Sequence, residues 1–329
     1  MRVTSSMLVS NFMNNLNTNL TRMSALQDQM ASGKTFAHIS DDPVALIYSQ
    51  QAKYKLTILA DYEANVESSR KWLTQAEAGT MELNQVLVFA YESCLDAATD
   101  VKTGGDRANI APYVKQLRDQ ILQTLNSTLG DKYVYGGYNT TGYTENGLSV
   151  PPFTVNGAGN LCYNGVDLTD DDPATLALVE QLRSDALSFD VAIGTNLTST
   201  VSGIDVVFYG KGENGENLNI YNLLDDMYNT LVSGTSGADD LTPYISDLQM
   251  AQNHTLAITA DIGGRTKRLD ILSSRYTQDT LNYTQMLSDA EDADLAEVIM
   301  KYKMAESVYN ASLSAGAYII QPTLMDFLK

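Results

Sequence analysis

The sequence has only two cysteines, Cys94 and Cys162, in 329 residues. No disulfide framework can be built from them. It has only two histidines, His38 and His254, which leaves little for metal or general-base chemistry. Basic residues are also scarce. Lys and Arg number 21 against 40 Asp and Glu, a net charge of −19. Phosphate recognition needs a basic footprint, so nucleic acid is an unfavourable partner, and an anionic membrane surface equally so. No apolar run approaches the roughly 20 residues of a membrane-spanning helix, so no membrane insertion is expected. The opening MRVTSSMLVSNFMNN lacks the apolar core of a secretory signal, so no cleaved signal peptide is expected.

Charge is missing locally as well. Residues 3–21 and 307–325 contain no charged side chain. Both stretches are too rich in Asn, Ser and Thr to be membrane spans. In so acidic a chain, such ends read as surfaces meant to be covered by protein.

Glycine and proline are sparse over long stretches, and there the apolar spacing is helical. Val9, Met13, Leu16, Leu20, Met23, Gln27 and Met30 alternate steps of four and three, a coiled-coil-like seam interrupted by Gln27. Gly33 follows as a helix stop. Asp41 or Asp42 suits the cap of the next helix, with Pro43 in its first turn. No other Pro or Gly occurs until Gly79, and then none until Gly104. A single helix of that length would be roughly 90 Å long, which implies a rod.

A returning helix is expected over 106–129, with Ile110, Val114, Leu117, Ile121 and Leu125 on one face. From 130 to 217 the texture changes to Gly, Asn, Thr and Tyr. Short β-like runs appear at Lys132–Tyr135, Phe153–Val155, Asp190–Ile193 and Ile204–Phe208, with a short helix after Asp172-Pro173. Helix resumes at 218–233. A second rod runs from Leu241 to about Ser314, where Leu295, Val298, Tyr302, Ala305, Tyr309, Ser312, Gly316 and Ile319 make a second, weaker seam.

The expected fold is therefore mainly α with a β-rich insert: an elongated antiparallel helical rod built from both chain ends, with the insert at the distal end. The expected domains are 1–42 with 286–329 (terminal helical assembly), 43–131 with 218–285 (helical rod) and 132–217 (β-rich outer insert).

Chemistry-bearing patterns are weak. Ser40 and Asp41 near His38 lie in a helix-capping turn without a strained nucleophile motif. Asp170-Asp171-Asp172-Pro173 lacks EF-hand spacing and suits capping. Cys94, Cys162, His38 and His254 are too scattered for zinc. Gly210-Lys211-Gly212-Glu213-Asn214-Gly215 lacks the ending of a P-loop, and its glutamate would repel phosphate. Tyr133, Tyr135, Tyr138 and Tyr143 suit sheet packing better than ligand stacking. No catalytic, cofactor-binding or metal-binding residue is assigned, and no enzyme activity is expected.

Several segments resemble the flagellin superfamily and, within it, the hook-associated protein 3 family of hook–filament junction proteins. Met30-Ala31-Ser32-Gly33-Lys34 followed by Ile39-Ser40-Asp41-Asp42-Pro43-Val44-Ala45 is similar to the family's "SGK…SDDP" signature. Asp106-Arg107-Ala108-Asn109-Ile110-Ala111 with Leu117 resembles the return helix. Gly263-Gly264-Arg265 with Arg268-Leu269 resembles the "GAR…RL" segment. Leu295-Ala296-Glu297 through Ile320-Gln321-Pro322 and Leu324 resembles the C-terminal export and assembly helix. Tyr133-Val134-Tyr135-Gly136-Gly137-Tyr138-Asn139-Thr140, with Pro152-Phe153 after it, resembles the stretch that separates junction proteins from flagellins.

The resemblance implies an extracellular flagellar assembly protein without a cofactor, exported unfolded by the type III apparatus. Its implied partners are further copies of itself in a ring, hook-associated protein 1, flagellin and an export chaperone. Val9, Met13, Leu16, Leu20, Met23, Met30, Leu295, Val298, Tyr302, Tyr309 and Ile319 are then the expected assembly interface. Gly33, Asp41, Asp42 and Pro43 form the signature joint. Two alternatives remain open at this point: a short flagellin that polymerises without limit, and a glycan- or surface-binding module carried by the insert, for which Tyr135 is the residue to test.

Overall fold

The computed structural model describes residues 5–36, 38, 40–99, 101–145, 147–170, 172–192, 194–211, 217–233, 237 and 239–319. Ile39, Ile193, Ile320, Gln321, Pro322 and Leu324, used in the sequence reading, lie outside the described residues. Long helices dominate, and strands are confined to the middle of the chain. Two compact units are present. One draws on the chain up to Ala60 and again from Thr277; the other runs from Asp61 to Tyr276.

The first unit contains α1 (Ser5–Ser32), the start of α2 (Pro43–Ala97), the end of a second long helix (Thr242–Glu291), and the last helix (Leu295–Ile319). α1 stops because Gly33 adopts φ +70°, a conformation that costs glycine nothing, and its N–H bonds to Gln29 O at 2.9 Å. α2 starts because the Asp42 carboxylate accepts the Val44 and Ala45 N–H groups, both at 3.0 Å, while Pro43 occupies the first position, where no N–H is needed.

The expected unbroken rod from Leu241 to Ser314 is corrected. The helix ends at Glu291, and a new one begins at Leu295. Ser288-Asp289-Ala290-Glu291-Asp292-Ala293-Asp294 is rich in short acidic side chains, which compete with helical backbone bonds. The Asp294 carboxylate takes the Ala296 N–H at 2.9 Å and the Glu297 N–H at 3.2 Å. The Ala293 N–H turns to Gly33 O at 2.9 Å. No Gly or Pro marks this break, so a search for breakers misses it.

In the second unit α2 continues to Ala97, and α3 (Gly104–Leu125) returns beside it. Thr103 and Asp106 form a reciprocal capping box at the start of α3. Arg107 is buried, and its Nε donates to Ala97 O at 2.8 Å, satisfying a carbonyl at the end of α2. Val114, Leu117, Ile121 and Leu125 are buried on the expected face.

A series of antiparallel hairpins follows. β1 (Thr128–Leu129) pairs with β2 (Lys132–Tyr133), and β3 (Tyr143–Glu145) with β4 (Leu148–Val150). β5 (Phe153–Val155), β6 (Leu161–Tyr163) and β7 (Val166–Asp167) form the one three-stranded sheet among the described residues. Phe153 stands opposite Tyr163, with ring centroids 4.9 Å apart. After α4 (Pro173–Ser184) come β8 (Ser188–Ala192) with β9 (Thr195–Thr198), then α5 (Gly203–Val207), β10 (Phe208–Lys211) with β11 (Asn217–Asn219), α6 (Ile220–Val232), α7 (Thr242–Glu291) and α8 (Leu295–Ile319).

The β-like run Ile204–Phe208 is a further correction. It folds as α5, and the strand begins only at Phe208. Ile204, Val206 and Val207 are all buried. A strand would send Val206 and Val207 to opposite faces, so packing overrides their β preference.

Tyr135 decides one feature of α2. It is fully buried, and its hydroxyl donates to Ala76 O at 2.7 Å. It therefore lies in the core, where no glycan could reach it. A Cβ on Gly79 would overlap the Tyr135 hydroxyl and lie 3.1 Å from its Cζ and Cε2. This explains a glycine inside a 55-residue helix despite its cost of about 1 kcal/mol relative to Ala. Gly79→Ala is accordingly expected to destabilise the protein by about 2 kcal/mol in denaturant titration. In a Tyr135→Phe background the same change should cost clearly less, because the crowding hydroxyl is gone. Equal costs in both backgrounds would contradict this account.

Candidate assembly interface

The described parts of the two charge-free stretches meet in the first unit. α1 and α8 pack side by side and run antiparallel: Phe12 sits against Gly316, while Lys34 bridges to Asp292 at the other end. A Cβ on Gly316 would collide with the Phe12 ring, so the small residue lets the two helices approach there.

Of the α1 residues expected at the seam, Val9, Leu16, Met23 and Met30 are half-buried, but Met13 and Leu20 are 46% and 37% exposed. Phe12, Asn19 and Leu26 take their places on the inner side. The steps from Val9 are thus three then four, whereas the sequence reading took four then three. On α8, Val298 is buried, and Tyr302, Ala305, Tyr309 and Ser312 are half-buried. Leu295 is exposed. Ile319 ends the helix, and its side chain lies outside the described residues.

The hairpin leaves apolar surface uncovered. Met300, Met304 and Val308 are 59%, 64% and 51% exposed. With Asn19, Arg22 and Ala305 they line a groove of about 420 Å³ between α1 and α8. The exposed ion pair Lys301–Glu297, at 2.8 Å, also lines this groove, and Lys303–Glu306, also 2.8 Å, is a second exposed pair on α8; such pairs contribute little to stability.

A carboxylate holds the base of this hairpin. Glu291 is buried at the end of α7. It accepts from Lys34 Nζ at 2.8 Å and from Ser49 Oγ and Lys53 Nζ of α2. Its own carbonyl takes the Thr35 N–H at 2.7 Å, and Asp292 O takes the Thr35 hydroxyl at 3.0 Å. Burial alone would push the Glu291 carboxyl up. The hydrogen bonds from Lys34, Lys53 and Ser49 outweigh burial and pull it down to about 2. In the signature turn Asp41 accepts the His38 N–H at 2.9 Å and Asp42 caps α2. Gly33, Asp41, Asp42 and Pro43 thus turn the chain from α1 into α2, close to where Glu291 gathers it.

The matching family model is that of the bacterial flagellin N-terminal helical region, and it covers residues 3–140. The chain is flagellin-like. Flagellar hook-associated protein 3 of Escherichia coli (strain K12) is 24% identical to it over 96% of this chain and 96% of that protein. A flagellin of Clostridium tyrobutyricum is also 24% identical, but over 39% of this chain and 34% of that one. Among solved structures, the flagellar junction protein FlgL of Legionella pneumophila shares the fold with a TM-score of 0.57 at 14% identity, over 74% of this chain and all of that one. In this flagellin-like chain, the similarity thus runs through the insert as well as the terminal helices.

No group of three or more His, Cys, Asp or Glu residues placed to hold a metal occurs among the described residues. Cys94 is buried with its thiol near Leu241 O, and burial pushes that thiol up to about 12. It is an inert packing residue. No helix among the described residues is long and apolar enough to cross a membrane.

The low value at Glu291 sets an acid dependence. A carboxyl held below its ordinary 4.5 in the fold contributes stability that is complete above that value and is lost as pH falls towards about 2. The contribution is roughly 3 kcal/mol at neutral pH. The protection of the amides around Ser49 and Lys53 against hydrogen exchange, taken relative to the free-peptide rate at each pH, should fall as pH drops through that window. Glu291→Gln should lower that protection at pH 7 and remove most of its change across the window. A variant that keeps the wild-type profile would contradict the clasp.

Proposed function

We infer that this chain is a structural protein of the bacterial flagellum, the adaptor at the junction between hook and filament. The observation that carries this reading is the extent of its similarity. The match to hook-associated protein 3 spans 96% of both chains, whereas the flagellin match covers about a third of each. Copies of the chain form a ring between hook-associated protein 1 on the hook side and the first flagellin subunits on the filament side. The chain reaches its extracellular site by export without a cleaved signal, escorted beforehand by a chaperone.

The expected division of labour fits this role. Residues 1–42 with 286–329 serve assembly, 43–131 with 218–285 form the helical body, and 132–217 form the insert. Of the expected interface residues, Val9, Leu16, Met23, Met30, Val298, Tyr302 and Tyr309 close the hairpin. Met13, Leu20 and Leu295, together with Met300 and Met304, are left for neighbouring copies. Covering a few hundred Å² of such surface at about 25 cal/mol per Å² supplies several kcal/mol per contact. Repeated contacts with a fixed offset build a ring or tube.

Immunogold labelling of flagella from the organism that makes the protein tests the reading. A single band of label where hook meets filament is expected; label along the whole filament would assign the chain as a short flagellin. Met304→Asp should fold normally, because the side chain is exposed. It should lower the fraction of cells bearing filaments about tenfold or more, since an unpaired charge would be buried on assembly. Unchanged filament numbers would remove this face from the interface.

A further inference from the structure

Charge in the second unit is sorted along its two long helices. From Trp72 to Ala97 α2 carries Glu77, Glu82, Glu92 and Asp96 and no Lys or Arg. Glu82 and Glu92 are exposed, on the same face as exposed Met81 and Phe89. α7 has the opposite character over a short stretch. All four of its basic residues, Arg265, Lys267, Arg268 and Arg275, fall between Arg265 and Arg275. Asp261 holds Arg265 at 2.7 Å. Lys267 and Arg268 are exposed, and neither is in an ion pair among the described residues.

The same stretch of α7 is shaped for close approach. Leu256 and Ile271 are large, apolar and exposed. Between them lie Gly263 and Gly264, where a Cβ would meet nothing within 4 Å. Gly79 and Gly316 each make room for a ring of this chain, but these two glycines make room for nothing in it. Glycine weakens a helix interior, and a neighbouring molecule packed on this face supplies the missing reason for it.

The two charged faces lie at different levels. Tyr62 stacks on Tyr276, with ring centroids 6.1 Å apart, and Gln252 Nε2 donates to Leu87 O at 3.1 Å. α7 therefore runs antiparallel to α2, and Lys267 and Arg268 stand level with Lys71 and Trp72. The stretch from Glu82 to Glu92 is centred about fifteen residues further along α2, roughly 25 Å at 1.5 Å per residue. Within one chain the two faces cannot meet. Copies side by side at one level would set like charge against like, which disfavours that arrangement. Copies shifted by that distance set base against acid.

We propose that neighbouring copies of this chain dock the α7 face of one, Leu256, Gly264, Lys267, Arg268 and Ile271, on the α2 face of the next, Met81, Glu82, Phe89 and Glu92, with a stagger of roughly 25 Å along the helices. Both halves of the match belong to one chain, so the contact is head-to-side and repeats from copy to copy. The apolar residues supply area, and the charges select partner and register. The proposal rests on the assembly role inferred above and adds which faces meet and with what step.

Charge reversal with rescue tests it, in cells of the source organism that lack their own copy of the chain. Restoration of filaments by the wild-type chain tests the assembly role itself; the variants test this contact. Lys267→Glu with Arg268→Glu, and Glu82→Lys with Glu92→Lys, should each lower the fraction of cells bearing filaments about tenfold or more. All four changes in one chain should restore it to within about twofold of the wild type, because opposite charges again face each other between copies. The reversed side chains are exposed, so the purified variants should melt with the wild type. Lys267→Gln with Arg268→Gln, which introduces no like charge, should lower filament numbers less than the reversal does. If the wild-type chain restores filaments, then wild-type filament numbers in either reversed pair, or no rescue by the fourfold variant, would overturn the proposal and leave the assembly role standing. If the wild-type chain restores none, the assembly role fails and the proposal with it.

Discussion

Glu291 is one carboxylate with three donors. Lys34 comes from the turn after α1, and Ser49 and Lys53 come from the first turns of α2. A buried carboxylate is costly unless it is fully engaged. Engaged in this way, it stays ionised and pins three segments to one point. The neighbouring backbone bonds, Thr35 N–H to Glu291 O and Ala293 N–H to Gly33 O, then set the register between α1 and α8. Phe12 against Gly316 follows from that register. The terminal hairpin thus inherits its alignment from a polar clasp at its base, and its narrow apolar seam serves mainly to close it.

The second unit relies on a related device, side chains that capture main-chain carbonyls across elements. Arg107 takes the carbonyl of Ala97, and Tyr135 takes that of Ala76. The first finishes the end of α2. The second fastens its middle to the insert, at a place where only a glycine leaves room. These bonds fix geometry as well as contributing energy, because each donor has one position from which it can reach.

The sequence was informative wherever the cause of structure was local. Gly33, Asp42 and Pro43 act on their immediate neighbours, and the turn they mark is where it was expected. The long helices were legible because a 3.6-residue pattern persisted through stretches poor in Gly and Pro. Reading failed where the cause was distant or ambiguous. The α1 seam admits two alternations that share Val9, Leu16, Met23 and Met30. Choosing between them requires knowing that Gly316 makes room for Phe12. Ile204–Phe208 has the composition of a strand, and only the surrounding core makes it a helix. Glu291 was invisible because its partners on α2 are 242 and 238 residues away in sequence. Its local context, a run of acids, hid the one carboxylate that is buried.

The pairing of Phe12 with Gly316 also has a temporal meaning. Phe12 and Gly316 are far apart in the sequence, so the contact closes a very long loop, and such contacts form late. During synthesis α1 exists long before α8 has been made. Until the last helix appears, α1 is a segment of unusually low charge without its mate, the kind of species that aggregates or needs a holding partner. Completion of this hairpin therefore reports that synthesis has passed α8, and a product truncated before α8 cannot form it.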